Sequence, residues 1–208
     1  MLTLLGKLTM GIVERRQRQK EEVKQEIIKA AWEMVKKDGW QSLSIRKIAD
    51  AIEYSVPVIY DHFENKEAIL QEFGKIGFNK LSTRLENAKT ESTDPADQIR
   101  AMAEAYWDFA TTYTELYQLI FGTGVAQCQG EICTAEFDRV YDIMIEPIEA
   151  LLKKNGRDDA EPCLKFHTLW SFMHGLMSIK LNGNSPVDPE LDKLVWEDAI
   201  TGYIRNLG

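Results

Sequence analysis

Long apolar runs are missing from this 208-residue chain. None approaches the roughly 18 residues that a bilayer-spanning helix needs, so no membrane partner is expected. The leading MLTLLGKLT is too short and too poorly flanked for a signal peptide. Met10 offers an alternative start, which makes residues 1–9 an upstream extension. Cysteine is scarce: Cys128, Cys133 and Cys163 are an odd number without disulfide spacing, which suits a reducing cytoplasm. Cys128 and Cys133 with His167 could be drawn as a metal site, but zinc-like pairing is absent. Free thiols in helices are the better reading, with no metal and no cofactor expected. Only three histidines occur, with no H-E-x-x-H, no phosphate-binding glycine loop and no Ser-His-Asp context. An enzyme is therefore not expected. Alternating apolar–polar runs and hairpin turns are lacking too, which leaves an all-α fold.

Charge is unevenly spread. The net charge is −8, yet residues 1–74 hold 12 of the 25 basic and 12 of the 33 acidic residues. The other 13 basic and 21 acidic residues carry the whole imbalance, so the two parts are expected to meet different partners. A basic cluster, ERRQRQK (Glu14–Lys20), precedes the first strong helix.

Apolar residues at Ile27, Ile28, Ala31, Met34 and Val35 give residues 21–38 a helical stripe that stops at Gly39. Ser44 caps IRKIADAI, and Ser55 caps a second short helix. Asn65 caps a fourth, running to about Ala88. Asp94-Pro95 begins a helix expected to reach Phe121. Further helices are expected over about 132–154, with Pro147 bending or dividing it, over 159–181, and after Asp188-Pro189.

Two short helices joined by a tight turn form a helix-turn-helix. The second, SVPVIYDHF, begins with a slim apolar turn, Val56-Pro57-Val58, suited to base edges and thymine methyls. Pro57 costs little there, because first-turn N–H groups have no helical partner. Tyr60 and His62 offer donors to phosphate oxygens, and Lys66 at the next helix start forms another anion site. Phe63 reads as core. Asp61 would repel phosphate unless it points away or accepts from cytosine N4. Arg15–Lys20 reads equally as an arm reaching a groove or phosphate and as a solvated tail.

The span Lys24–Leu70, with IIKAAWEMVKKDGWQSLSIRKIA followed by S-x-P-x-IY-x-HF-x-NKE-x-IL, resembles the DNA-binding domain of the tetracycline-repressor (TetR) family. Trp170, His174 and Gly175 resemble the W-x-x-x-H-G signature of one C-terminal subclass. YWDFATTYTELYQLIF resembles that subclass's first ligand-domain helix. The resemblance implies a three-helix DNA-binding domain over 21–70, preceded by a flexible basic arm over 1–20. It implies a larger helical ligand-binding and dimerisation domain over 71–208. It makes Arg46 a guanine reader, Ser44 a phosphate donor as well as a cap, and the last two helices a dimer interface. Family members usually carry Gly where this chain has Glu53.

The implied function is that of a homodimeric cytoplasmic repressor on a palindromic double-stranded operator, released by a small-molecule inducer. Dimerisation also follows from mechanism, since one short reading helix binds weakly and two-fold symmetry matches a palindrome. The alternative is a helical small-molecule-binding protein without specific DNA recognition. The second domain is dense in large side chains, among them Tyr106, Trp107, Phe109, Tyr113, Phe137, Tyr141, Trp170, His174 and Met177. Such a stripe is more often core, yet it would line a cavity for an apolar or aromatic inducer. Glu104, Asp108, His167 and His174 are the polar groups available to orient it. Gly175 is expected to permit close helix approach.

Overall fold

A computed structural model describes residues 2–122, 134–181 and 188–208, with backbone alone at 2–10, 12, 134 and 189. The described residues are helical, without a strand: α1 (Leu2–Asp38), α2 (Ile45–Ala51), α3 (Val56–Tyr60), α4 (Lys66–Lys89), α5 (Pro95–Thr112), α6 (Thr114–Phe121), α7 (Thr134–Lys154), α8 (Pro162–Leu181) and α9 (Pro189–Asn206). They divide into two compact units, Met1–Glu72 and Phe73–Gly208, with the boundary inside α4.

In the first unit, α1 buries Val23, Ile27, Ile28, Ala31 and Val35 on one face. It ends where Gly39, at φ 75°, donates its N–H to the Val35 carbonyl at 2.8 Å. The arm expected over residues 1–20 is instead helical backbone from Leu2 onward. Over residues 14–20 the Glu, Arg, Gln and Lys are strong helix formers and no proline interrupts them. Trp40, Leu43, Ile48, Ala49, Ile59, Phe63 and Ile69 complete this core.

In the second unit, α5 touches α6, α7, α8 and α9. Its Ile99, Met102, Tyr106 and Phe109 are buried at helical spacing. The helix expected to run from Pro95 to Phe121 breaks at Tyr113 (φ −119°, ψ 51°). Thr111 and Thr114 surround the break and donate their hydroxyls back to the Trp107 and Ala110 carbonyls at 3.0 and 3.2 Å. Such back-bonding in a β-branched run bends helices. Pro147 does not divide α7, since Val140, Met144, Ile148 and Leu151 anchor the helix on both sides of it. Gly156 (φ 65°) closes α7, with Gly156 and Arg157 donating to the Lys153 and Leu152 carbonyls.

Candidate nucleic-acid interface

The two short helices of the first unit are held by apolar residues that leave their polar faces outward. Ile48 and Ala49 of α2, Ile59 of α3 and Phe63 beyond it are buried. Arg46, Ser55, Pro57 and Tyr60 are exposed, whereas Ser44, Val56, Val58, His62 and Lys66 are half-buried. Tyr60 is 52% exposed, although it follows the buried Ile59. Lys47, which the sequence did not single out, is exposed beside Arg46.

Ser44 and Ser55 occupy the N-cap positions of α2 and α3 in extended backbone, but neither side chain makes a cap hydrogen bond. Asn65 does cap α4, its Oδ1 accepting from the Ala68 N–H at 2.8 Å. Between α2 and α3, Glu53 takes φ 59° while Glu53 and Tyr54 donate to the Asp50 and Ala49 carbonyls. That pattern closes a helix on a left-handed residue, the conformation that favours glycine.

His62 does not simply face outward. It lines a cleft of about 510 Å³ with Arg16, Gln19, Lys20 and Val23 of α1 and with Tyr54, Val58 and Asp61. Burial, and then the nearby Lys20, hold its imidazole below the ordinary value of 6.5.

In the second unit, many of the expected ligand residues form one aromatic cluster. Tyr106 meets Trp170 (ring centroids 5.6 Å apart) and stacks on Trp196 (6.3 Å), and Phe137 meets Trp170 at 5.5 Å. Tyr141 packs on Phe166 (4.6 Å), which stacks on Trp170. The Tyr117 hydroxyl lies 2.9 Å from His174 Nδ1, and burial pushes that phenol up to about 12 and the imidazole down. Among the described residues Trp196 Nε1 is buried without a hydrogen-bond partner, whereas the buried Tyr106 hydroxyl interacts with that of Tyr117. Met177 is buried as well.

Phe166 and Trp196 escaped the sequence reading. Phe166 was detectable as the first member of a Phe166–Trp170–His174 stripe at spacing four. Trp196 was hidden by the apolar residues on the opposite side of α9.

Other expected ligand residues make further pairings, although Trp107 also meets Trp196 edge-on at 5.2 Å. Phe109 pairs with Tyr113 (5.8 Å), and Tyr113 sits under Lys80 and Arg84. Trp107 lies between the ammonium groups of Lys180 and Lys193, at 5.2 and 4.9 Å from its ring. Of the four polar groups, His174 joins the cluster, and His167 meets the edge of Phe166 at 5.2 Å. Glu104 pairs with Lys193, Asp108 lines an outer groove with Arg84 and Arg100, and His167 is exposed. Those carboxylates follow the outward side of α5, opposite Met102 and Tyr106.

Among the described residues a Cβ at Gly175 would meet no atom within 4 Å, so this glycine permits no close helix approach there. Of the apolar repeats of α9 that suit a dimer interface (Leu191, Leu194, Val195, Ala199, Tyr203 and Leu207), Tyr203 and Leu207 are buried within the chain, whereas Leu191, Leu194 and Val195 are exposed. Tyr203 and Leu207 continue the Trp196–Ile200 side of the helix, which explains their burial. Cys163 is a free, half-buried thiol, and Cys128 and Cys133 lie outside the described residues. Among the described residues no His, Cys, Asp and Glu group could hold a metal, and no helix is long and apolar enough to cross a membrane.

Comparison with known proteins adds a family. Residues 27–73 match the family described as bacterial regulatory proteins, tetR family, and residues 99–202 match the tetracyclin repressor-like C-terminal domain. The chain is 28% identical over 187 residues to the HTH-type transcriptional activator FasR of Mycolicibacterium smegmatis, covering 82% of this chain and 78% of that protein. Its fold is similar to FadR from Bacillus subtilis in complex with stearoyl-CoA (TM-score 0.61, 15% identity, 88% of this chain and 96% of that one). It is also similar to AibR in complex with isovaleryl coenzyme A and operator DNA (TM-score 0.60, 16% identity, 84% and 94%). With both the helix-turn-helix unit and the helical unit behind it matched, the chain belongs to the TetR family of transcription regulators.

Proposed function

We propose that the protein binds a palindromic operator as a cytoplasmic homodimer and represses transcription until a small apolar molecule releases it. The observation that carries this reading is the helix-turn-helix itself, in which Arg46, Pro57 and Tyr60 share an exposed surface around a buried Ile48–Ile59 core. In this reading Val56-Pro57-Val58 approaches base edges, Arg46 reads a guanine, and Ser44, Ser55, Tyr60, His62 and Lys66 hold phosphates. A five-residue reading helix engages few bases, so two copies related by a two-fold axis are needed. The exposed Leu164 and Ile179 of α8 and Leu191, Leu194 and Val195 of α9 supply a face for that pairing. Among the described residues a Cβ at Gly175 or Gly202 would meet nothing within 4 Å, which leaves room there for a second copy.

For the inducer, the Tyr106–Trp170–Phe137 cluster favours an apolar or aromatic body, and its Trp196 donor, unpaired among the described residues, favours a ligand carrying acceptor oxygens. Acyl coenzyme A thioesters, the class bound by the two solved relatives named above, combine both features. A second reading, activation in place of repression, is supported by the name of the mycobacterial relative.

Fluorescence anisotropy on the DNA flanking the gene tests the operator. With about six to ten phosphates engaged per dimer, affinity should fall by roughly 10³ to 10⁵ between 50 and 200 mM salt. Binding that is insensitive to salt would exclude a phosphate-anchored complex. Arginine at both Leu194 and Val195 should convert a dimer to a monomer in sedimentation equilibrium, and an unchanged mass would remove α9 from the interface. Transcription in vitro from the flanking promoter, with and without protein and long-chain acyl-CoA, separates repression from activation.

A further inference from the structure

Because Arg15–Lys20 belong to α1, their side chains stand at helical spacing. Arg16, Gln19, Lys20 and Val23 fall at i, i+3, i+4 and i+7, a single stripe. That stripe forms one wall of the 510 Å³ cleft, and Tyr54, Val58, Asp61 and His62 form the other. A second cleft of about 280 Å³ is lined by Lys20, Glu21, Lys24, Asp61 and His62 among others, so Lys20, Asp61 and His62 border both. Arg16, Lys20 and Asp61 take part in no ion pair among the described residues, although Lys24 is tied to Glu72 at 2.6 Å. Two uncommitted cations therefore face the C-terminal end of the reading helix, with a carboxylate opposite them.

Val58 lines this cleft and also belongs to the turn that the operator reading places at the base edges. A helix seated in the major groove has a phosphate backbone on each side of it, within reach of groups flanking the helix. The cleft is such a flank. Its acidic member also resolves the residue that the helix-turn-helix reading leaves over. Asp61 lines both clefts together with Lys20 of α1.

We propose that Arg16 and Lys20 of α1 clamp the DNA backbone beside the reading helix, and that Asp61 restrains this clamp. The proposal rests on the operator reading above. In the free protein Asp61 offsets part of the positive charge and weakens attraction to any duplex. Phosphate affinity without sequence preference is the component that competes against specific binding, so a restrained clamp widens the ratio between operator and other DNA.

The test uses the full-length protein and two labelled duplexes, the flanking DNA of the gene and a scrambled sequence of the same composition, titrated at several salt concentrations. Arg16→Ala and Lys20→Ala should each lower the slope of log affinity against log salt by about 0.9 per protomer on both duplexes. Asp61→Asn should raise affinity several-fold on both and narrow the ratio between them. Lys29→Ala is the control: it is an exposed α1 cation that lines a different groove, with Met34, Ala51 and Ile52, and should leave the slope unchanged. Matching far-UV circular dichroism and unfolding midpoints establish that the variants fold. If the wild type binds both duplexes and the Arg16 and Lys20 variants keep its slope, the clamp is overturned while the operator reading stands. A loss confined to one duplex would make these residues base readers and would overturn it as well. Absence of wild-type binding to either duplex overturns the operator reading and the clamp with it.

Discussion

Glu53 carries a conformational cost that can be measured. Its φ of 59° lies in the left-handed region, where a residue with a Cβ loses about 1–2 kcal/mol through crowding against the following carbonyl. The conformation is held by the closing bonds of α2, in which Tyr54 donates to the Ala49 carbonyl at 3.0 Å and Glu53 to Asp50 at 3.4 Å. Glycine would remove the crowding but loses about 0.5–1 kcal/mol more chain entropy on folding. The difference leaves a net gain of about 0.5–1 kcal/mol for Glu53→Gly. Glu53 also sets a negative charge at the C-terminal end of α2, disfavoured by about 0.3–1 kcal/mol at low salt. Glu53→Ala removes the charge and keeps the Cβ, so it isolates that part. Glu53→Gly should therefore exceed Glu53→Ala by the conformational share alone. For a unit the size of Met1–Glu72, 1 kcal/mol corresponds to about 4–8 °C in Tm. Thermal unfolding by circular dichroism, with hydrogen exchange at the amides of residues 45–63 to isolate the first unit, reads the effect. Equal midpoints for the two variants, or a lower one for glycine, would refute the strain argument.

At Gly77, a Cβ would come within 3.2 Å of Ile120 Cγ2, a buried branched side chain with little room to move. Overpacking of about 1–3 kcal/mol should outweigh the gain of about 1 kcal/mol in helix propensity, so Gly77→Ala should lower stability while Gly77→Ala with Ile120→Val recovers it in urea unfolding. The imidazoles of His62 and His174 are held below 6.5, in both cases chiefly by burial, so the unfolded chain takes up protons first as pH falls. Stability should be full above that value and decline from about pH 7 to pH 5, with His174→Gln flattening the decline; an unchanged profile in the variant would remove His174 as a contributor. Asp192 is 5% exposed and accepts from Lys180 Nζ at 3.1 Å. Asp192→Asn should cost about 1–3 kcal/mol by leaving the ammonium without its carboxylate, and should alter tryptophan fluorescence through the Lys180–Trp107 contact.

Several parts of the fold were legible because they depend on near neighbours. Asn65, Asp94 and Asp188 each accept a backbone N–H at the helix starts where their type and position placed them. Asn155-Gly156 closes α7 for the same reason. Ser44 and Ser55 looked equally suited to capping, yet their hydroxyls make no such bond, since a short side chain can turn to other partners. The Tyr113 break was less visible: no proline or glycine marks it, and it arises from threonine hydroxyls bonding back along the helix. Glu53 was flagged only through a resemblance, and its left-handed backbone became a fact with the coordinates.

Sequence alone determined the all-helical class and the slim apolar turn of the reading helix, because helix starts and stops are governed by contacts within about four residues. It also determined the DNA-binding class, since the residues of α2 and α3 are contiguous. Tertiary structure decided which face of each helix is covered. On α9, both Trp196 and Leu194 are large and apolar, yet Trp196 is buried against Tyr106 and Trp107 while Leu194 is 59% exposed. On α5, Tyr106 entered the aromatic cluster and Asp108 the outer groove, two positions apart. At the end of the reading helix, Asp61 shares a cleft with Lys20, a residue about forty positions earlier. Burial is set by partners distant along the chain, and neither periodicity nor composition says which of two apolar faces those partners will meet.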